Sequence, residues 1–197
     1  RERLGHRQAI LEAAKNLFSE KGYNHVTMQS IADEAEFAVG TLYTFFENKD
    51  DLYSKMLRET AEEFFSKIHP LLKKKAPPIE IIEEYLQTCR EFILRHQTVL
   101  KIFLAETKGV KFAVKAHPDD YFRENDQIME DEVTAVIERG MKEGIFRKAD
   151  PRYVALALMG MLDSFFIKWV NSPRTLPDGP DMDFILEMFL NGVRRNK

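Results

Sequence analysis

"TMQSIADEAEFAVGTLYTFFENKDDLY", residues 27–53, decides the fold. Met28, Ile31, Ala32 and Ala35 recur at helical spacing behind Thr27, whose hydroxyl suits a helix N-cap. The stretch "EFAVG" breaks the rhythm, and Thr41 to Phe46 resume it. Asn48 is the next cap, followed by Asp50 and Asp51, whose carboxylates suit the positive end of a helix. Two helices this short are not stable alone, so packing against flanking segments must hold them.

Those segments lie on both sides. Ile10, Ala13, Ala14, Leu17 and Phe18 form an apolar helical stripe, and Gly22 closes it in the left-handed position that follows a last turn. After Asn48 a long helix carries Leu52, Met56, Leu57, Phe64 and Phe65 until "KKKAPP" (73–78) ends it. Further helices are expected over 79–96 and 98–107, then from Asp119 or Asp120 to about Lys142. Asp150 and Pro151 start another that reaches Val170, and the last covers 182–194. "KAHPDD" (115–120) and "NSPRTLPDGPD" (171–181) read as breaks. No run alternates with period two, so the fold class is all-α with about nine helices. A three-helix head carrying a helix-turn-helix at about 27–46 fills 1–48, and 49–197 forms a larger bundle.

Composition excludes several classes. One cysteine, Cys89, rules out an intrachain disulfide framework and points to a reducing, cytoplasmic setting. The longest apolar run, "VALALMGML" (154–162), stops at Asp163, short of the roughly 20 residues of a membrane span, so no membrane partner is expected. The start of the chain is charged and amphipathic, unlike a secretory signal. It opens on Arg1 rather than Met, so residues can precede it. The net charge is −3, and acids outnumber Lys and Arg over the first 49 residues. Nucleic-acid binding must therefore rest on local geometry rather than on a basic domain.

A helix-turn-helix supplies that geometry. Ile31, Ala32 and Ala35 would pack its first helix, while Leu42, Phe45 and Phe46 would fasten the second. Thr27, Gln29, Ala38, Val39, Gly40, Thr41, Tyr43, Thr44 and Lys49 are then the DNA-facing candidates. Threonine hydroxyls bond phosphates or base edges, and their methyls touch thymine methyl groups. A tyrosine hydroxyl bonds phosphate without a charge. Gly40 lets the backbone approach a sugar-phosphate chain, and Lys49 at a helix start suits a phosphate clamp.

The pattern T-x-x-x-I-A-x-x-A, G-T-L-Y-x-x-F, K-x-x-L stands here as Thr27, Ile31, Ala32, Ala35, Gly40, Thr41, Leu42, Tyr43, Phe46, Lys49 and Leu52. With "ILEAAKNLFSEKGY" (10–23), it closely resembles the head of the TetR-family transcriptional regulators. Further on, "EGIFRKADP" (143–151) and "ALMGM" (157–161) resemble joints of the same family. The resemblance implies a homodimer with two DNA-binding heads, reading an inverted-repeat operator on double-stranded DNA. It also implies a variable C-terminal bundle that binds a small-molecule effector and releases the DNA through the helix starting at Lys49. Ala38, Val39 and Thr44 depart from the family's usual hydroxyl, basic and histidine residues, so base reading should lean on apolar and hydroxyl contacts.

In the C-terminal half, Phe92, Phe103, Met129, Phe165 and Trp169 are candidate linings of an apolar effector pocket, since aromatic and Met surfaces adapt to apolar ligands. Plain core is the simpler reading for most of them. The last two helices are apolar on more than one side, as a dimer bundle needs. The five histidines lack metal-ligand spacing, Cys89 reads as a buried small hydrophobe, and no catalytic motif or cofactor motif appears. The expected function is a homodimeric repressor released by a small apolar ligand. The alternatives are an activator or ligand-independent regulator, or a helical interaction protein.

Overall fold

The computed structural model describes residues 2–106, 120–171 and 181–193. Among them the chain forms α1 (Glu2–Lys21), a 3-10 turn (Tyr23–His25), α2 (Met28–Glu34), α3 (Val39–Tyr43), α4 (Lys49–Leu72), α5 (Pro78–Arg95), α6 (Gln97–Glu106), α7 (Asp120–Lys142), α8 (Pro151–Asn171) and α9 (Met182–Val193). The all-α class holds, with nine α-helices and no strand among the described residues. The expected breaks at 115–120 and 171–181 fall almost wholly outside the described residues.

The helices gather into two compact units. The division falls between Glu62 and Glu63, inside α4, and between Arg95 and His96. The first unit holds α1, α2, α3, the early turns of α4 and also α6; the second holds the rest of α4 with α5, α7, α8 and α9.

In the first unit the apolar stripe of α1 is buried at Ile10, Leu11, Ala13, Ala14, Leu17 and Phe18. The helix stops where Gly22 turns left-handed (φ 76°) and its N–H reaches the Phe18 carbonyl at 3.0 Å. Thr27 Oγ1 accepts the Ser30 N–H at 3.1 Å while the Thr27 N–H donates to Ser30 Oγ at 3.0 Å, a reciprocal cap that starts α2. Behind α2, Glu36 holds the left-handed backbone (φ 58°) that glycine more often fills. The Phe37 N–H reaches the Ala32 carbonyl at 2.9 Å and the Glu36 N–H the Asp33 carbonyl at 3.2 Å, closing the helix in a Schellman arrangement. Leu42 and Phe46 are fully buried, whereas Phe45 is half-buried with the Arg3 guanidinium over its ring at 5.5 Å.

In the second unit, α5 packs on α7 and α9, and α8 packs on α7 and α9. At the C-terminal end of α4, His69 Nδ1 lies 2.6 Å from Glu132 Oε2 and its Nε2 3.1 Å from Asn125 Oδ1, joining α4 to α7. Gly144 (φ 74°) closes α7, with the Ile145 N–H on the Gly140 carbonyl at 2.9 Å. The chain then folds Phe146 back over Gly140 so closely that a Cβ there would stand 2.3 Å from the ring. Phe146 is 1% exposed and meets Phe189 of α9 at 6.2 Å. Asp150 Oδ1 accepts the Arg152 N–H at 2.9 Å and Pro151 takes the first helical position of α8.

Gly140→Ala should therefore lower stability by about 1–3 kcal/mol, even though alanine favours helix, because the buried Phe146 ring must leave its contact with Phe189. A thermal melt that matches or exceeds the parent's would contradict this packing.

Candidate nucleic-acid interface

Ala38, Val39, Gly40, Thr41, Tyr43 and Thr44 all fall on α3 or its two flanking caps, and α3 packs against α2. Tyr43 is 54% exposed, Ala38, Gly40 and Thr44 are exposed, and Val39 and Thr41 are half-buried. A Cβ at Gly40 would meet nothing within 4 Å, so packing inside the chain does not demand glycine there. Close approach by something outside the chain would demand it.

The hydroxyl of Thr44 donates to the Thr41 carbonyl at 2.7 Å. Its proton is spent, leaving oxygen lone pairs and a methyl group to face outward. It therefore suits a base-edge donor such as the amino group of adenine or cytosine, or a thymine methyl, better than a guanine acceptor. Thr27 and Gln29 sit exposed at the start of α2. Thr27 is engaged in its cap, and Gln29 Nε2 donates to Asp33 Oδ1 at 2.7 Å. Lys49 differs from the expected open clamp. Its ammonium donates to the carbonyls of Tyr23 and Val26, each at 2.9 Å, and lies 4.2 Å from the Tyr23 ring centroid.

Sequence reading missed Lys55, although its i,i+4 spacing from Asp51 is a recognisable helix pair. Its ammonium reaches Asp51 Oδ2 at 2.8 Å and the Phe45 carbonyl at 3.3 Å. Burial works against ionisation of Asp51, but the Lys55 ammonium and the Glu47 N–H outweigh it and hold the carboxyl below its ordinary value. Arg7 is likewise paired, with Glu59.

The effector candidates divide between the units. Phe92, Met129, Phe165 and Trp169 lie on α5, α7 and α8, while Phe103 lies half-buried on α6 in the first unit. Phe92 meets Phe64 at 4.8 Å, Phe165 meets Phe184 at 6.0 Å, and Trp169 is buried with no partner for its Nε1–H among the described residues. Polar groups that the sequence pattern hid share this interior. Burial, with the neighbouring Asp126 carboxylate adding to it, pushes Asp163 up to about 7. Burial also pushes the Cys89 thiol up to about 12, leaving it protonated and unreactive as a thiolate. Among the described residues no group of three His, Cys, Asp or Glu side chains is placed to hold a metal.

Comparison with known proteins agrees with this geometry. Residues 10–56 match the family model described as "Bacterial regulatory proteins, tetR family", and residues 75–173 match "Tetracyclin repressor-like, C-terminal domain". The helix-turn-helix-type transcriptional regulator YhgD of Bacillus subtilis is 26% identical over 187 residues, 95% of each chain. The ketosteroid transcriptional regulator KstR2 of Mycobacterium tuberculosis shares the fold at a TM-score of 0.74 with 23% identity, over 96% of this chain and 95% of that one. AibR, solved with isovaleryl coenzyme A and operator DNA, shares it at 0.70 with 20% identity, over 96% and 98%.

Asp163 gives a pH test. Its folded pKa lies above the unfolded value of 3.8, so the folded chain keeps a proton that the unfolded chain releases. Stability should fall as pH rises from about 4 to about 7 and then level off. Asp163→Asn should melt higher than the parent at pH 8, by on the order of 2 kcal/mol, with the two curves converging near pH 4. Equal melting at pH 8 would contradict the burial of this carboxylate.

Proposed function

We propose, since this chain belongs to the TetR family of bacterial regulatory proteins, that this DNA-binding transcriptional regulator works as a homodimeric repressor, released from an inverted-repeat operator by a small apolar effector. DNA binding is assigned to residues 1–48, with α3 as the recognition helix, and effector binding and dimerisation to 49–197. The setting is the cytoplasm.

The outer face of α3 carries this reading. An exposed tyrosine, two threonines and a glycine with open space beside it form a surface that needs an external partner to explain it. Tyr43 is assigned to phosphate, and Ala38, Val39, Thr41 and Thr44 to the major groove. Thr27 and Gln29 add contacts from the start of α2.

The dimer reading draws on α8 and α9. Pro151–Val170 has the length and apolar composition of a membrane span, yet only 33% of that window is buried within the chain. Tyr153 (74% exposed), Leu156, Phe184 and Met188 remain on the surface of the two helices. An equivalent pair of helices from a second copy would cover this apolar surface. The effector reading draws on the two liganded or named likenesses, a ketosteroid regulator and a protein bound to an acyl-coenzyme A. A steroid is apolar over most of its surface and an isovaleryl group is a short branched alkyl chain, and either would suit Phe92, Met129, Phe165 and Trp169; Phe103 is the outlying member of that set.

Purified protein should prefer a palindromic fragment from beside its own gene over random DNA, with affinity falling steeply as salt rises. Gly40→Ala should raise helix stability by about 0.5–1 kcal/mol and weaken DNA binding, two effects of opposite sign. Tyr43→Phe should weaken all sequences alike, and Thr44→Ala should change which operator base is preferred. No preference for any fragment would leave the helical interaction protein as the better account. A monomer by light scattering at micromolar concentration would remove the two-headed mechanism.

A further inference from the structure

We propose that Lys49 is a positioning residue that fastens the helix-turn-helix to α4, and that its contribution to DNA affinity comes through this placement and not through a phosphate contact. The inference rests on the DNA-binding reading above and assigns one of its residues a different task.

An ammonium has three N–H groups. Two of those on Lys49 are taken by the Tyr23 and Val26 carbonyls at 2.9 Å, and the Tyr23 ring covers another side at 4.2 Å. Those carbonyls belong to the connector between α1 and α2. Val26 is 1% exposed and directly precedes Thr27, whose reciprocal cap starts α2. Tyr23 is held in turn by its hydroxyl on Asp50, and its ring lies against Phe18 at 5.3 Å and Tyr53 at 4.9 Å. The first turn of α4 therefore grips the strand of chain that enters the helix-turn-helix.

The exit is gripped as well. Asp51 Oδ2 accepts the Glu47 N–H at 2.9 Å, and Lys55 bonds Asp51 and the Phe45 carbonyl. Both ends of the α2–α3 pair are thus tied to charged side chains on the first two turns of α4. Any movement of that part of α4 is delivered to α2 and α3 together. Helices of seven and five residues have few other means of keeping their orientation.

The two tasks separate by salt dependence. A lysine on a phosphate releases a counterion, and its loss lowers the slope of log affinity against log salt by about 0.9. Loss of a positioning lysine leaves the slope in place and falls mainly on the specific complex. Lys49→Met in the full chain should lower affinity for the preferred fragment about tenfold or more with the slope unchanged, and shrink the ratio of specific to random binding below the melting transition. Lys49→Arg, able to reach both carbonyls, should restore most of that ratio, which recovery of fold alone would not predict. Tyr23→Phe, neutral in charge and missing only the bond to Asp50, should shift the ratio in the same direction by less. It carries the test if Lys49→Met does not fold. In free protein, backbone amides of residues 26–31 should exchange hydrogen about tenfold faster in Lys49→Met, a readout independent of whether any operator is found. A slope lowered by about 0.9 for each copy of the chain on the DNA, about 1.8 for the dimer, with equal loss on all sequences would overturn the proposal, as would unchanged exchange at 26–31.

Discussion

A helix of five residues makes too few internal hydrogen bonds to hold its own shape, and that constraint organises the whole N-terminal unit. α3 exists because Leu42 and Phe46 are fully buried within the first unit. It points where it does because α4 grips the chain on either side of the α2–α3 pair through Lys49, Asp50, Asp51 and Lys55. The outer face of α3 is then relieved of holding the helix together, so glycine, threonine and tyrosine can stand in a helix that composition alone would not favour.

The second unit obeys the opposite rule. Its helices are long, and among the described residues part of their apolar surface stays exposed. α8 places Ala155, Leu158, Leu162, Phe166 and Val170 inside, yet leaves Tyr153 and Leu156 outside. At the edge of that interior sit two half-buried carboxylates, Asp126 and Asp163, that partial burial drives toward the neutral form. An otherwise oily bundle thus carries a polar spot whose charge depends on its surroundings.

Local signals were the legible ones. Thr27, Asn48 and Asp150 as caps, Gly22 as a terminator and the stripe from Ile10 to Phe18 are all written within a few residues of where they act. The α3 face was legible because several fixed spacings agree at once. What the sequence hid is long-range. Lys49 looked like an open cation at a helix start, and only the fold brings the Tyr23 and Val26 carbonyls to it. Phe103 shared the apolar character of Phe92 and Met129, yet α6 belongs to the first unit. Asp163 looked like the end of an apolar run, and only the fold brings Asp126 beside it and half-buries its carboxylate.

The left-handed turn at Glu36 has a consequence for how tightly such a protein grips its target. A side chain in that conformation strains the backbone, and Glu36 also adds an exposed negative charge to the link between α2 and α3. Glycine would relieve both at one stroke. The chain thus retains an unused margin of stability at a single position. A DNA-binding regulator need not hold the firmest fold that its architecture allows.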